Sequence, residues 1–491
     1  MNYRATAPLT KGPRRTHLAL LCAAALATAL TACTGGGVQG TPGAAGVRDP
    51  YFPKLGNGGY DVRHYGLKLG YDPGSRHLTG TAEITARAAK NLSAFNLDLK
   101  GLDVRSVTVE GRKARFQRAG DELTVRPHED LDRGETFRVT VRYSGTPRTI
   151  TDADGSKEGW LPADDSALAT GQPTGSMAWF PGNHHPSDKA SYDIEVTVPK
   201  GLKALSNGEL TRQTTSGGRT TFAWRNAEPM ASYLATVVVG DYDLKASTTP
   251  GKHGVPVLTA IDPTLPEKQY ERTEKVLADI PDIMEWAETN FGAYPFSSTG
   301  AVVEGRSDLG YALETQTKPL FPVGQADTTT LVHELAHQWF GNSVTPKTWR
   351  DMWLNEGFAT FAQWLYEEDN GGDTVEETVD ALYDGDLYER EEDNEAPWAF
   401  PPAKQPDAAS ISDDPVYERG AMVIQKVRET VGDDAFYEIV QGWTETYRHR
   451  TADTEDFTAY VEEHAGDDET RAELRRVWSD WLYGEGKPDE R

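Results

Sequence analysis

His333-Glu334-Leu335-Ala336-His337 puts two imidazoles four residues apart, with a carboxylate beside the first. On an α-helix such residues are separated by about 40° and about 6 Å, so both rings project from one face. They can take two corners of a tetrahedral Zn2+ site. Glu334 lies one position round, off the ligand line, where it can act as general base on a water held at the metal. A third ligand must come from another element. Glu356 supplies it: 18 residues separate it from His337, and Gly341, Asn342 and Pro346 mark a turn before a new helix near Met352. That is enough chain for a helical hairpin to return Glu356 to the metal. Two His and one Glu leave a fourth position open, as in a catalytic rather than a structural zinc site.

Other chemistries find little support. There is no Gly-x-Ser-x-Gly elbow, phosphate-binding loop or dinucleotide motif. The run HELAHQWFGNSVTPKTWRDMWLNEGFATF resembles the aminopeptidase N family of gluzincin zinc metallopeptidases. The resemblance extends over most of residues 60–483, through YDVRHYGLKLGYDP, LSNGEL, PMASYLATVVVGDYDL and VYERGAMVI. It implies an α+β multidomain fold, with an N-terminal antiparallel β-sandwich or saddle domain and a thermolysin-like, mainly α catalytic domain. It also implies one Zn2+ per chain on His333, His337 and Glu356, with Glu334 as base.

The same resemblance assigns the substrate end. Gly310-Tyr311-Ala312-Leu313-Glu314 matches the family's Gly-x-Met-Glu-Asn motif, with Leu313 for Met and Thr315 for Asn. Glu314 is then expected to bind the substrate's free α-amino group, as a carboxylate pairs with an ammonium. Gln172, eight residues before Phe180-Pro181, matches a second amine-recognising position, although Met177 and His184 stand where the family commonly has Arg and Asp. Tyr417, in Val416-Tyr417-Glu418-Arg419-Gly420, matches the tyrosine that stabilises the tetrahedral intermediate. A phenol stays protonated at neutral pH and can donate to an oxyanion. The implied reaction releases single amino acids from the free N-terminus of peptides. A zinc endopeptidase, or an inactive peptide-binding protein of the same fold, are the alternatives. His184-His185 reads as packing or surface, not as a second metal site.

The elements that must position these groups fall into two regions. Short alternating segments run from Tyr60 to about Tyr242, including His64–Leu69, Leu78–Ala86, Val104–Val109, Phe137–Tyr143 and Tyr192–Val198, with turns such as Asp72-Pro73-Gly74. From Leu265 the period changes: 265–291, 327–342, 355–370, 416–431 and 454–483 are expected as helices, Gly300–Glu304 as a strand and 310–320 as a loop or edge strand. The expected boundaries are 51–245 for the β domain and 246–491 for the catalytic domain. Longer family members carry further domains after the catalytic one. This chain continues for only about 70 residues beyond Tyr417, which the resemblance reads as a more open site.

Residues 1–33 read as an address. Arg4, Lys11, Arg14 and Arg15 precede an apolar run, Leu18 to Leu30, of 13 residues, and Leu30-Thr31-Ala32-Cys33 looks like a bacterial lipobox. Cys33 would carry lipid, which implies an exported protein anchored to the outer face of the cell membrane. Residues 34–50 are Gly-rich and are expected to form a flexible tether. Of the chain's two cysteines, Cys22 would be discarded with the leader, so no disulfide is expected. The 491 residues carry 50 Lys+Arg against 76 Asp+Glu, a net charge of −26. That balance argues against nucleic acid as a partner and against electrostatic attachment to an anionic membrane. The run from Glu367 to Glu395 holds 14 acids and one Arg, and reads first as a solvated helical surface.

Overall fold

The structure is a computed structural model that describes residues 40–250, 254–305, 308–386 and 393–489. The leader, Cys33 and residues 34–39 lie outside the described residues.

The longest sheet has eight strands. Its order is Glu209–Ser216, Arg219–Ala231, Lys189–Pro199, Tyr60–Asp72, His77–Ala88, Thr136–Gly145, Asp103–Val109 and Arg112–Lys113. Alternation builds it. Val62, Tyr65, Leu67, Leu69 and Tyr71 on one strand, and Leu78, Ala82, Ile84 and Ala86 on the next, are buried while most intervening residues are not. The turn between them is closed by Asp72, whose Oδ1 accepts from the Gly74 N–H at 3.0 Å. Within this sheet one pair departs from the antiparallel expectation: Lys189–Pro199 runs parallel to Tyr60–Asp72. A four-stranded sheet (Thr41–Pro42, Leu92–Asp98, Glu122–Arg126, Arg115–Ala119) and a five-stranded sheet (Thr149–Thr151, Lys157–Pro162, Ala167–Thr170, Val237–Gly240, Lys203–Ser206) complete this half.

A second four-stranded sheet, Asp243–Thr248, Pro256–Ile261, Thr299–Glu304 and Leu320–Pro322, accompanies the helices. The boundary expected near residue 246 therefore falls inside a strand, because Asp243–Thr248 pairs antiparallel with Pro256–Ile261. The helices are α1 (Glu267–Ala278), α2 (Ile280–Phe291), α3 (Thr328–Ala336), α4 (Trp353–Asp369), α5 (Val375–Asp384), α6 (Gly420–Val431), α7 (Asp433–Thr446), α8 (Thr454–His464) and α9 (Asp468–Val477). Three long helices expected from periodicity are shorter. The helix over 265–291 is split at Asp279, just before Pro281, which sits in the first turn of α2. That over 454–483 breaks at Gly466, which takes φ +83°. The helix over 327–342 ends at Ala336.

The flexible tether is corrected over residues 40–50. Thr41–Pro42 pairs parallel with Leu92–Asp98, and Ala44–Ala45 pairs with Asn57–Gly58. Asp49 is buried; its Oδ2 accepts from Trp349 N at 2.9 Å and lies 3.2 Å from His185 Nε2, while Oδ1 accepts from Tyr51 and Phe52 N–H groups. A Gly-rich stretch with little to bury is held instead by backbone bonds to strand edges and one buried carboxylate.

Candidate active site

α3 begins at Asp327, whose carboxylate accepts from Thr330 N at 2.9 Å, a cap that fixes the start of the helix carrying His333. His337 lies just past the last helical residue but keeps the helical bond, its N–H donating to His333 O at 3.1 Å. The rings therefore stay on one face, with centroids 4.6 Å apart. α4 is launched by a short turn, Trp349–Met352, with a reciprocal cap between Thr348 and Asp351. It carries Glu356 back across α3.

Glu356 Oε2 lies 3.3 Å from His333 Nε2 and 3.2 Å from His337 Nε2. A tetrahedral zinc with bonds of about 2.0–2.1 Å has ligand–ligand edges of about 3.3 Å, so each imidazole already sits at that spacing from the carboxylate oxygen, with all three donors within 4.8 Å of one another. The charges agree. Burial alone would raise the Glu356 carboxyl, but His337 and then His333 hold it at about 2. Burial alone would lower His337, but Glu356, then Glu314 and Glu334, raise it to about 10. Such a field favours a cation among these donors, and the described residues lining the cavity include no Lys or Arg. The residues present fit a zinc ion.

Asn355, fully buried and not picked out by the sequence reasoning, ties the site together. Its Oδ1 accepts from His337 Nδ1 at 2.7 Å, which keeps a proton on Nδ1 and turns Nε2 toward Glu356, the nitrogen that would ligate the metal. Its Nδ2 donates to Glu314 Oε1 at 3.2 Å and to Glu356 Oε1 at 3.4 Å. Gly341 makes room for this amide: a Cβ there would meet Asn355 Oδ1 at 1.7 Å. The only sequence signal for Asn355 is adjacency to Glu356, and adjacency does not say where a helix side chain points.

Glu314 is buried, and burial raises its carboxyl, with Glu356 adding to the rise and His337 opposing it. With its amide nitrogen turned toward that carboxylate, Gln172 donates to the two oxygens at 2.8 and 3.2 Å. The backbone around Glu314 is fixed from the turns that follow α3: Asn342 Nδ2 donates to Glu314 O at 2.7 Å, and Gln338 Oε1 accepts from Thr317 N at 2.8 Å. Thr315, which replaces the family's Asn, closes this turn through its hydroxyl, 2.5 Å from Lys318 O. Glu334 is buried, and one of its oxygens has no partner. Burial pushes its carboxyl well above the usual carboxylate range, and the charge on His337 pulls it back.

Tyr417 stands on a π-helical turn, Pro415–Arg419, that leads into α6. Its ring is stacked with that of His333 at 6.0 Å. Gly357 and Gly420 allow the approach of α4 and α6, since a Cβ on Gly357 would lie 2.9 Å from the Gly420 carbonyl carbon. Burial and three surrounding carboxylates push the Tyr417 phenol up, so it remains a donor. All seven residues expected from the sequence (His333, Glu334, His337, Glu356, Glu314, Gln172 and Tyr417) line one cavity of about 500 Å3. Asp152, Asp154, Thr330 and Gln363 also line it and were not anticipated. His184 and His185 lie elsewhere and belong to neither group of converging metal-binding side chains among the described residues.

A buried His-His-Glu set on two crossing helices, with a free carboxylate beside it, defines a metallopeptidase-type site. The chain matches the Peptidase M1 N-terminal domain over residues 62–234 and the Peptidase family M1 domain over residues 321–481, and it belongs to peptidase family M1. It is 24% identical over 427 residues to the probable aminopeptidase 1 of Sulfurisphaera tokodaii, covering 80% of this chain and 49% of that protein. To the glutamyl aminopeptidase of Homo sapiens it is 28% identical over 338 residues, covering 65% and 34%. The chain thus spans about half the length, or less, of these curated relatives. Its fold is similar to an M1 zinc metallopeptidase from Deinococcus radiodurans, solved as a mutant bound to a Tyr-Ser-Ala substrate. The TM-score is 0.81 at 28% identity, covering 91% of this chain and 99% of that one. A second structure of that metallopeptidase gives a TM-score of 0.78 at 29% identity, covering 91% and 98%.

Proposed function

We propose that this protein is a zinc-dependent aminopeptidase that releases single amino acids from the free N-terminus of peptides. The observation that carries the reading is the junction at Asn355, where one amide joins the metal-ligand pair His337 and Glu356 to Glu314. A carboxylate fixed at one distance from the metal measures one residue from a substrate's ammonium group.

His333, His337 and Glu356 would hold the zinc ion, which when bound would supply Lewis-acid chemistry toward a water and the scissile carbonyl. Glu334 takes the water's proton on its unpartnered oxygen and later delivers it to the leaving amine. The Tyr417 phenol donates to the developing oxyanion. Glu314 pairs with the α-ammonium, Gln172 steers that carboxylate through its amide N–H groups, and the Gln172 oxygen remains as a further acceptor.

Glu334→Gln keeps the volume and removes the base. Metal content should stay at one zinc per chain while turnover falls about 100- to 10,000-fold. Full turnover in that variant would refute the proposed base. Cleavage of N-acetylated peptides as fast as free ones by the parent enzyme would instead favour an endopeptidase.

The lipobox at Leu30-Thr31-Ala32-Cys33 supports export and anchoring through lipid on Cys33, with peptides met at the outer face of the membrane. No helix among the described residues is long and apolar enough to cross a membrane. Metabolic labelling with a fatty acid, lost in Cys33→Ser, tests the anchor.

A further inference from the structure

The net charge of −26 averages two unlike regions. Residues 87–148 carry 13 Lys and Arg against 9 Asp and Glu, whereas the rest of the chain carries 37 against 67. Within that segment five of the 13 cations, Arg112, Lys113, Arg115, Arg118 and Arg126, lie on or next to one edge. Arg112 and Lys113 end the eight-stranded sheet, and the chain passes directly into Arg115–Ala119, the edge strand of the first four-stranded sheet. Arg115 and Arg126 are paired directly opposite each other across this edge, and both are exposed. Like charges facing each other across strands destabilise the pair. Among the described residues, neither arginine nor Lys113 makes an ion pair, whereas Arg112 is held by Glu129 and Arg118 by backbone carbonyls. Phe116, next along the edge strand and opposite Val125, so on the other face of the sheet from the Arg115–Arg126 pair, is one of the few large apolar side chains left exposed, at 39%.

The opposite edge of the same sheet is where the described chain begins. Thr41–Pro42 lies three strands from Arg115–Ala119, a separation of about 14 Å. Because residues 41–49 are docked, only the seven steps from Cys33 to Gly40 separate the lipid from the body, at most about 25 Å of chain. A lipid on Cys33 would hold this sheet close to the headgroups.

We propose that the edge formed by Arg112, Lys113, Arg115, Phe116 and Arg126 is a membrane-facing surface that rests on anionic phospholipid headgroups and orients the anchored enzyme. The proposal rests on the lipid-anchor reading. The cations meet the phosphodiester charge, and the aromatic ring suits the boundary between headgroup and acyl chain. Repulsion between Arg115 and Arg126 is relieved when an anion lies over both.

The test uses the full lipidated chain in vesicles of phosphatidylglycerol and phosphatidylcholine. A polarity-sensitive probe is attached in Phe116→Cys and, separately, in Leu244→Cys, another exposed apolar position. Quenching by a lipid-borne quencher should be at least about threefold greater at 116 than at 244. It should fall to the level at 244 in phosphatidylcholine alone or when Lys113→Glu, Arg115→Glu and Arg126→Glu are combined, with peptide hydrolysis unchanged. Equal quenching at the two positions in protein that floats with the vesicles overturns the surface and leaves the anchor intact. Protein that does not float overturns both. Protection of 116 that follows protein density rather than lipid charge would assign the edge to a second copy of the chain, and also overturns the proposal.

Discussion

At His333 and His337 one nitrogen of each ring is turned toward the same Glu356 oxygen, at 3.3 and 3.2 Å. At His184 and His185 every ring nitrogen meets a different protein group. His184 lies between Ser232 Oγ and Phe180 O, both at 3.0 Å, and His185 between Ser187 Oγ at 2.7 Å and Asp49 Oδ2 at 3.2 Å. Burial does not separate the pairs, since His184, His185 and His337 are all below 4% exposed. Convergence does. Rings four apart on a helix aim at one point, while neighbours in a loop diverge and serve as hydrogen-bonding struts. The electrical surroundings follow. His337 faces three carboxylates and is held at about 10, whereas burial pushes His184 down to about 4 and keeps it neutral.

Truncating one member of each pair should break this contrast most visibly. His337→Ala should release the metal and cost at least about 10,000-fold in turnover, as loss of a member of a catalytic set does. His184→Ala should leave metal stoichiometry intact and lower the melting temperature; zinc analysis and calorimetry on the two variants would show whether the division of roles holds. A smaller effect is expected at Asn355. Asn355→Leu removes the acceptor that orients His337 and the donor to Glu314. Zinc affinity should fall about 10- to 100-fold by competition with a chelator. KM for free-amine substrates should also rise. An unchanged affinity would mean that packing alone orients the ring.

The last contrast is a pH dependence of stability. In the unfolded chain His184 takes up a proton near pH 6.5, whereas in the folded chain it does so only near 4. The unfolded state therefore binds more protons in between, and stability should decline as pH falls from about 6.5 to about 4. A difference of that size corresponds to about 3 kcal/mol. His184→Gln keeps a polar group in place but does not titrate. The parent should lose more stability than this variant over that range in urea denaturation, and identical slopes would remove His184 as the cause.

Much of the site was legible because its signals are local. The four-residue spacing of His333 and His337 fixes a shared helix face, and a turn followed by a new helix allows the return of Glu356. Glu314, Gln172 and Tyr417 were legible through motif likeness, and the cavity brings all three to the metal donors. The supporting contacts were not. Asn355, Gln338 and Asn342 act across elements, by hydrogen bonds to groups 18 to 41 residues away, which no periodicity reports. Residues 41–49 read as a tether because they carry little to bury, yet strand edges and Asp49 hold them.

The sequence by itself determined the order of a β region and a helical region, the donor types and the carboxylate beside them, because residue spacing and hydrophobic period act within single elements. Only the tertiary structure decided which groups hold His184 and His185, which amide joins the metal donors to Glu314, and where the cations of an acidic chain collect. Those outcomes depend on distances between elements far apart in the chain, which packing sets and composition averages away.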